Sequence, residues 1–333
     1  MADRSVDGRR ASRTGGGRSG RAKLPLIGAQ VSTAGGFAPV PERAVAIGAE
    51  VVQFFSSNPR TWRTRSPGSE EVALLITGLR RHSLPLYLHT IYLINLASPD
   101  EDLRRRSTSA LAHALATGAL TGAAGVVTHV GSHKGTGFES AAARVVQTVR
   151  LAFEEAGEQL AGLGCAEGLP PLLLENSAGS GNTVGARLEE LAILTDAFPQ
   201  GPQVGMCLDT AHLFAAGHPV HQAAGLEDLV SGLRDRGLLD RVRLIHLNDS
   251  ASPFASNRDL HENPGDGLLG YTGLSRVVRH EALAHIPFVL EVPGADGHGP
   301  DATDIAVVKS MREGAARPPR GPAHAAKRRA GPE

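Results

Sequence analysis

A chain of 333 residues with 41% hydrophobic and 20% charged side chains is long enough for one large α/β barrel and too apolar to be disordered throughout. Its two cysteines, Cys165 and Cys207, are too few for a disulfide scaffold and are not spaced as a zinc thiolate pair, and no run of about 18 apolar residues exists to span a membrane. The 34 basic and 34 acidic residues balance, but seven basic residues fall in 1–23 and six lie from Arg312 onward, with two acidic residues in each stretch, leaving a body of 21 basic against 30 acidic residues and a charge of −9.

Residues 1–23 carry Arg4, Arg9, Arg10, Arg13, Arg18, Arg21 and Lys23 around Gly15-Gly16-Gly17, and are expected to be a disordered basic tail. No apolar core follows these charges, as a signal peptide would require, so a soluble, cytoplasmic protein is expected. From residue 24 to 312 short apolar runs alternate with longer amphipathic ones. A strand at 24–30 precedes a helix near 39–48; the next pairs fall at 50–55 and 69–82, at 85–89 and 101–121, and at 125–130 and 138–162. Then come 171–175 with 185–197, 203–209 with 223–236, 242–247 with 271–284, and 286–291 with 302–312. The strand candidates hold few interior charges, as suits strands covered on both faces. The helix candidates spread charge around a helical period, the third with Leu103, Leu111 and Leu115 on one face.

Eight strands, each followed by a helix, specify a (β/α)8 TIM barrel as a single α/β domain over 24–312, with a doubly wound open sheet as the alternative. The longest helix-free connection runs from about Asn248 to Gly270, a length usually reserved for function. Residues 313–333, rich in Pro, Ala, Gly, Lys and Arg, are expected to be a second disordered basic tail. Such tails either solubilise the chain or add salt-sensitive affinity for a polyanion such as DNA. A monomer is expected.

The chemistry sits where the strands end. The third ends in His89, the fourth reaches His129, the fifth ends in Glu175, the sixth in Asp209, the seventh holds His246 and the eighth ends in Glu291. A parallel barrel gathers all strand C-termini on one face, so these six side chains ring one mouth. A single buried His or Glu is more often a hydrogen-bonded core residue, but crowded carboxylates are unfavourable unless cations pair with them. His212 follows Asp209 by three residues, and Asp259-Leu260-His261 lies in the long connection. Five histidines and four carboxylates exceed the roughly three or four protein ligands of one catalytic zinc, so more than one metal is implied. Imidazole and carboxylate donors favour zinc, with manganese or iron as alternatives. Closely spaced metals that activate water suit phosphodiester hydrolysis.

The runs Gly28-Ala29-Gln30-Val31-Ser32-Thr33-Ala34-Gly35-Gly36, His129-Val130-Gly131-Ser132-His133, Leu174-Glu175-Asn176-Ser177-Ala178-Gly179, Cys207-Leu208-Asp209-Thr210-Ala211-His212, His246-Leu247-Asn248-Asp249-Ser250 and Asn257-Arg258-Asp259-Leu260-His261 resemble the endonuclease IV family. The resemblance covers roughly residues 24–312 in order. It implies a zinc-dependent apurinic/apyrimidinic endonuclease of base-excision repair with deoxyribonuclease IV activity, a (β/α)8 barrel and three Zn2+ ions per chain. By that resemblance His89, His129 and Glu175 hold the first zinc, and Glu175 bridges to a second completed by Asp209, His246 and Glu291. His212, Asp259 and His261 hold the third. Glu175 and Glu291 then act in catalysis through the metals and a bridging hydroxide that attacks the phosphate 5′ to an abasic site in double-stranded DNA. The products are a 3′-hydroxyl and a 5′-deoxyribose phosphate, and trimming of blocked 3′ ends is an expected side activity.

The same resemblance makes Arg60, in Asn58-Pro59-Arg60-Thr61-Trp62, a residue that enters the base stack, and Tyr92 and Leu93 a wedge for the minor groove. Lys134 is a further candidate for phosphate. Two departures stand out: Gln30 occupies a position where the family commonly has His, and Val292 one where it often has Thr. The rival function is a sugar isomerase or epimerase on a related metal-binding barrel. Such a one-metal site has no need of His89, His129, His212 or the Asp259/His261 pair.

Overall fold

The structure is a computed structural model that describes residues 24–165, 167–200 and 203–319. The first basic stretch and residues 320–333 lie outside the described residues. Eight strands form a closed barrel: β1 (Ile27–Gln30), β2 (Val52–Phe55), β3 (Leu86–His89), β4 (Gly125–His129), β5 (Leu172–Glu175), β6 (Val204–Asp209), β7 (Val242–His246) and, after a two-stranded excursion, β10 (Phe288–Leu290). All neighbours run parallel, and β10 closes the ring by pairing with β7 on one side and β1 on the other.

The two-residue period of a strand explains the core. Val51, Tyr87, Val127, Leu173, Cys207, Leu244 and Val289 form one apolar cluster inside the barrel. Their neighbours, among them Leu86, Leu88, Val126, Leu172, Leu174, Met206, Leu208, Phe288 and Leu290, point outward and join the larger core beneath the helices. Gly28 takes the eighth interior position, because a Cβ there would lie 1.7 Å from the Val51 carbonyl oxygen.

The helices are α1 (Val40–Ala46), α2 (Ser69–Arg81), α3 (Glu101–Thr121), α4 (Phe138–Gly162), α5 (Leu188–Asp196), α6 (Thr210–Ala215), α7 (Ala223–Asp235), α8 (Gly270–Arg279) and α9 (Ala302–Glu313). Their ends follow local chemistry. Asp100 caps α3, whose alanine-rich body favours a helix, and Gly122 stops it at φ 70°. Asp301 and Asp304 form a reciprocal capping box on α9.

Three expectations need correction. The helix expected over 185–197 starts only at Leu188, since Gly185 sits at φ 95°. The one expected over 271–284 ends at Arg279, where His280 leaves the helix and its ring accepts the Ala282 N–H, opening a short 3-10 turn over Glu281–Leu283. The connection after β7 is not wholly irregular: β8 (Asp249–Ser250) pairs antiparallel with β9 (His261–Glu262).

Arg312 and Arg317, counted above with the C-terminal basic stretch, are engaged with the body. Arg317 donates to the Gly265 carbonyl and pairs with Asp266. Arg312 donates to Glu50 and to the Pro25 carbonyl, while Glu50 also accepts the Ile27 N–H and pairs with Lys309 at 3.1 Å. This latch ties the last helix to the start of the first strand. Burial opposes the charge on Glu50, but Arg312, the Ile27 N–H and Lys309 outweigh it and hold its carboxyl below the usual range. A depressed acid stabilises the fold above its ordinary pKa, and the contribution is lost as pH falls through the lowered value. Arg312→Ala is therefore expected to reduce unfolding free energy by about 1–2 kcal/mol at neutral pH, allowing for partial solvent screening, and by less below pH of about 4. Urea unfolding at the two pH values checks this.

Candidate metal centre

Two residues beyond the interior apolar layer, each strand sends another side chain inward. The upper tier reads Gln30, Gln53, His89, His129, Glu175, Asp209, His246 and Glu291, each two positions after a residue of the layer below. Six of the eight are the strand-end ligands expected from sequence. Strand register sets His129 beside Glu175 and Asp209 beside His246.

Among the described residues, candidate ligand atoms fall into three groups, each with its atoms within 4.8 Å of one another: His89, His129 and Glu175; Glu175, Asp209, His246 and Glu291; and Asp209, His212 and His261. Glu175, fully buried, joins the first two. Its Oε2 lies 3.3 Å from His89 Nε2 and 3.1 Å from His129 Nε2, while Oε1 lies 3.0 Å from His246 Nδ1. Glu291 Oε2 stands 3.2 Å from the same Nδ1.

In the third group the Asp259 carboxylate straddles both imidazoles, 3.0 Å from His212 Nε2 and 3.1 Å from His261 Nε2. Asp209 Oδ2 approaches His261 Nε2 to 3.6 Å, so Asp209 reaches this group as well as the second. Neither His212 Nε2 nor His261 Nε2 makes a hydrogen bond of proper geometry, although both are buried. Two buried nitrogens converging on carboxylates without bonding them suit a shared cation.

The opposite ring nitrogens are tied down, as metal-binding histidines require. His89 Nδ1 donates to the Thr90 carbonyl (2.7 Å), His212 Nδ1 to the Asn176 carbonyl (2.9 Å) and His261 Nδ1 to the Glu291 carbonyl (3.1 Å). Each thereby turns Nε2 toward the site. Asn248, which sequence reasoning passed over, donates from its amide to Asp209 Oδ2 at 2.6 Å and accepts the Glu291 N–H at 2.8 Å. Asn176 accepts the Asp209 N–H at 2.6 Å. The available signal was position: each asparagine lies just past a strand that ends in a ligand.

Electrostatics point the same way. Burial alone would push the Glu175 carboxyl up, but His129 and His246 hold it well below the usual range. Burial would lower His212, yet Asp209, Asp259 and Glu175 lift it well above an ordinary histidine, and His261 is raised to about 9 against the same burial by Asp209 and Asp259. The surroundings thus favour positive charge at these nitrogens, and a divalent cation competes with protons for them. With imidazole nitrogen and carboxylate oxygen as donors and no thiolate ligand, the set fits zinc.

The rim residues are placed less uniformly. Arg60 is exposed on the loop after β2, and the Tyr92 N–H donates to the Pro59 carbonyl at 3.0 Å, joining that loop to the one after β3. The exposed Tyr92 ring lies nearly parallel to His129, with centroids 6.0 Å apart. Leu93 packs partly against the core, and Lys134 is exposed.

Residues 41–313 match the family model described as Xylose isomerase-like TIM barrel. A probable endonuclease 4 of Halothermothrix orenii is 35% identical over 276 residues, covering 83% of this chain and 96% of that protein. Another, from Methanoculleus marisnigri, is 35% identical over 293 residues, covering 86% and 99%. The crystal structure of endonuclease IV from Thermus thermophilus superposes with a TM-score of 0.74 at 36% identity, covering 87% of this chain and all of that one. A D-tagatose 3-epimerase-like protein shares the fold at TM-score 0.60 but only 14% identity. Taken with the upper tier of the barrel, these likenesses show that the chain belongs to the endonuclease IV family.

Proposed function

We propose that this protein is a zinc-dependent endonuclease that hydrolyses the phosphodiester bond 5′ to abasic sites in double-stranded DNA. The observation that carries the reading is the Glu175 carboxylate, which turns one oxygen to His89 and His129 and the other to His246, with the His212, His261 and Asp259 group alongside. Bound zinc ions would supply activated water near neutral pH and stabilise the charge that gathers on the phosphate oxygens. Glu175, Asp209 and Glu291 bring the negative charge that retains such ions, and the five histidines fix their positions. Hydrolysis joins the hydroxyl of water to phosphorus and returns a proton to the departing 3′ oxygen, leaving a 3′-hydroxyl and a 5′-deoxyribose phosphate. Trimming of blocked 3′ ends would use the same residues.

An abasic nucleotide has no base to unstack, so bringing its sugar phosphate to the tier would cost little. On this reading Arg60 and Tyr92, whose loops are joined by the Tyr92 N–H donating to the Pro59 carbonyl, would meet the strained duplex. The epimerase reading would use the group of Glu175, Asp209, His246 and Glu291 but leaves His89, His129, His212, His261 and Asp259 without a task.

Purified protein should contain about three zinc ions and nick a duplex bearing one tetrahydrofuran abasic analogue. A chelator should stop the reaction and added Zn2+ restore it. Zinc-replete protein that leaves this duplex intact while isomerising ketoses would overturn the proposal.

A further inference from the structure

Two members of the upper tier, Gln30 and Gln53, bring no ligand to the metal centre proposed above, on which this inference rests. Gln53 is fully buried. Its Nε2 lies 2.6 Å from Glu291 Oε1 and 2.8 Å from Gln30 Oε1, and its Oε1 lies 3.0 Å from His246 Nε2. These contacts leave one orientation for the amide. A carboxylate only accepts hydrogen bonds, so the NH2 must face Glu291 and the carbonyl oxygen must face His246. His246 therefore donates from Nε2, and a neutral imidazole so bonded keeps its lone pair on Nδ1.

That nitrogen is the one that faces the centre, with Glu175 Oε1 at 3.0 Å, Glu291 Oε2 at 3.2 Å and Asp209 Oδ2 at 4.0 Å. His89, His212 and His261 are oriented the other way round, each through a main-chain carbonyl that no side-chain substitution removes. At His246 the task falls to a side chain.

We infer that Gln53, backed by Gln30, is a positioning residue for the second ion: it fixes His246 as the Nε2–H tautomer, so that Nδ1 is the ligand atom, and holds Glu291 toward the same ion. Among the described residues the Gln53 amide bonds only Gln30, Glu291 and His246, so its replacement is expected to act mainly on the second group. Loss of such a supporting partner weakens metal binding by roughly 10- to 100-fold.

The test compares wild type with Gln53→Met, which keeps the volume and loses both bonds, and Gln53→Glu, which keeps an acceptor for His246 but opposes Glu291. Zn2+ binding is followed by competition with a chromogenic chelator, and tautomers by 15N-histidine NMR of the zinc-loaded proteins. In wild type, His246 should show a protonated Nε2 and a zinc-shifted Nδ1, the reverse of His89, His212 and His261. Gln53→Met should lose roughly 10- to 100-fold in affinity for one ion only, with the His246 resonance pattern changed. Gln53→Glu should weaken the same ion while His246 keeps its Nε2–H. A wild-type His246 without a proton on Nε2 would overturn the inference, even if Gln53→Met fails to fold. So would folded Gln53→Met with an unchanged competition curve. Wild type that takes up no Zn2+ would instead overturn the metal centre itself.

Discussion

Glu175→Gln is expected to abolish incision, lowering the single-turnover rate by roughly 100- to 10,000-fold. That range converts the about 3–5 kcal/mol lost when one partner of a buried charge pair is removed, at about 1.4 kcal/mol per tenfold. The side chain is fully buried and both oxygens are used, Oε2 by His89 and His129 and Oε1 by His246. An amide in the same space has one acceptor, and its NH2 would point at nitrogens meant for a cation. Zinc content should fall together with rate. Arg60→Ala is the control, since its side chain is exposed at the rim. That change should weaken DNA binding by about tenfold or less and flatten its salt dependence. Equal losses of rate in the two variants, at equal zinc content, would argue against Glu175 as the bridge.

Removing Asp249 should have the second-largest effect, although this residue touches no ligand atom. Its carboxylate is fully buried and accepts N–H groups from Ser250, Gly265, Gly267, Leu269 and Gly270. These donors lie on β8 and on the chain after β9, so one side chain gathers both ends of the segment that carries Asp259 and His261. It also meets the first N–H of α8, where negative charge favours a helix. Gly267 is required there, because a Cβ would come within 2.5 Å of Asp249 Oδ1. Asp249→Ala leaves several donors buried without acceptors, at about 1–3 kcal/mol for each that water cannot reach. The expected result is about 3 kcal/mol or more of lost stability, zinc content falling from about three ions toward two, and incision reduced by roughly 100-fold. Calorimetry, elemental analysis and the abasic-site assay measure these separately. Full zinc content in a folded Asp249→Ala protein would show that the segment is held by other contacts.

Much of this was legible in the sequence because the barrel repeats one simple rule. Apolar runs fixed the eight strands, and alternation of in and out carried His89, His129, Glu175, Asp209, His246 and Glu291 to one mouth. Gln53 obeys the same alternation, two residues after Val51, but glutamine is not a metal ligand and its role exists only through what His246 and Glu291 do across the barrel. Asp209 joining the third group depends on a side-chain distance that spacing does not encode. The short helix α6 hid inside the strand-end motif, since Asp209 is both a candidate ligand and the N-cap, accepting the His212 N–H at 2.9 Å. The hairpin of β8 and β9 was hidden for another reason: two-residue strands carry no period. Arg312 read as part of a solvated basic stretch until its partner, Glu50, far away in sequence, was in place.

The position of β10 has a consequence for how the enzyme comes into being on the ribosome. Strands emerge from the N-terminus onward, and the last of them enters between the first and the seventh. Until it does, the cylinder is an open sheet with two bare edges, and the second ligand group lacks Glu291. Sealing the cylinder and completing that group therefore depend on the same strand. A chain that lacks β10 still carries the histidines, but only the closed cylinder brings Glu291 to Glu175, Asp209 and His246.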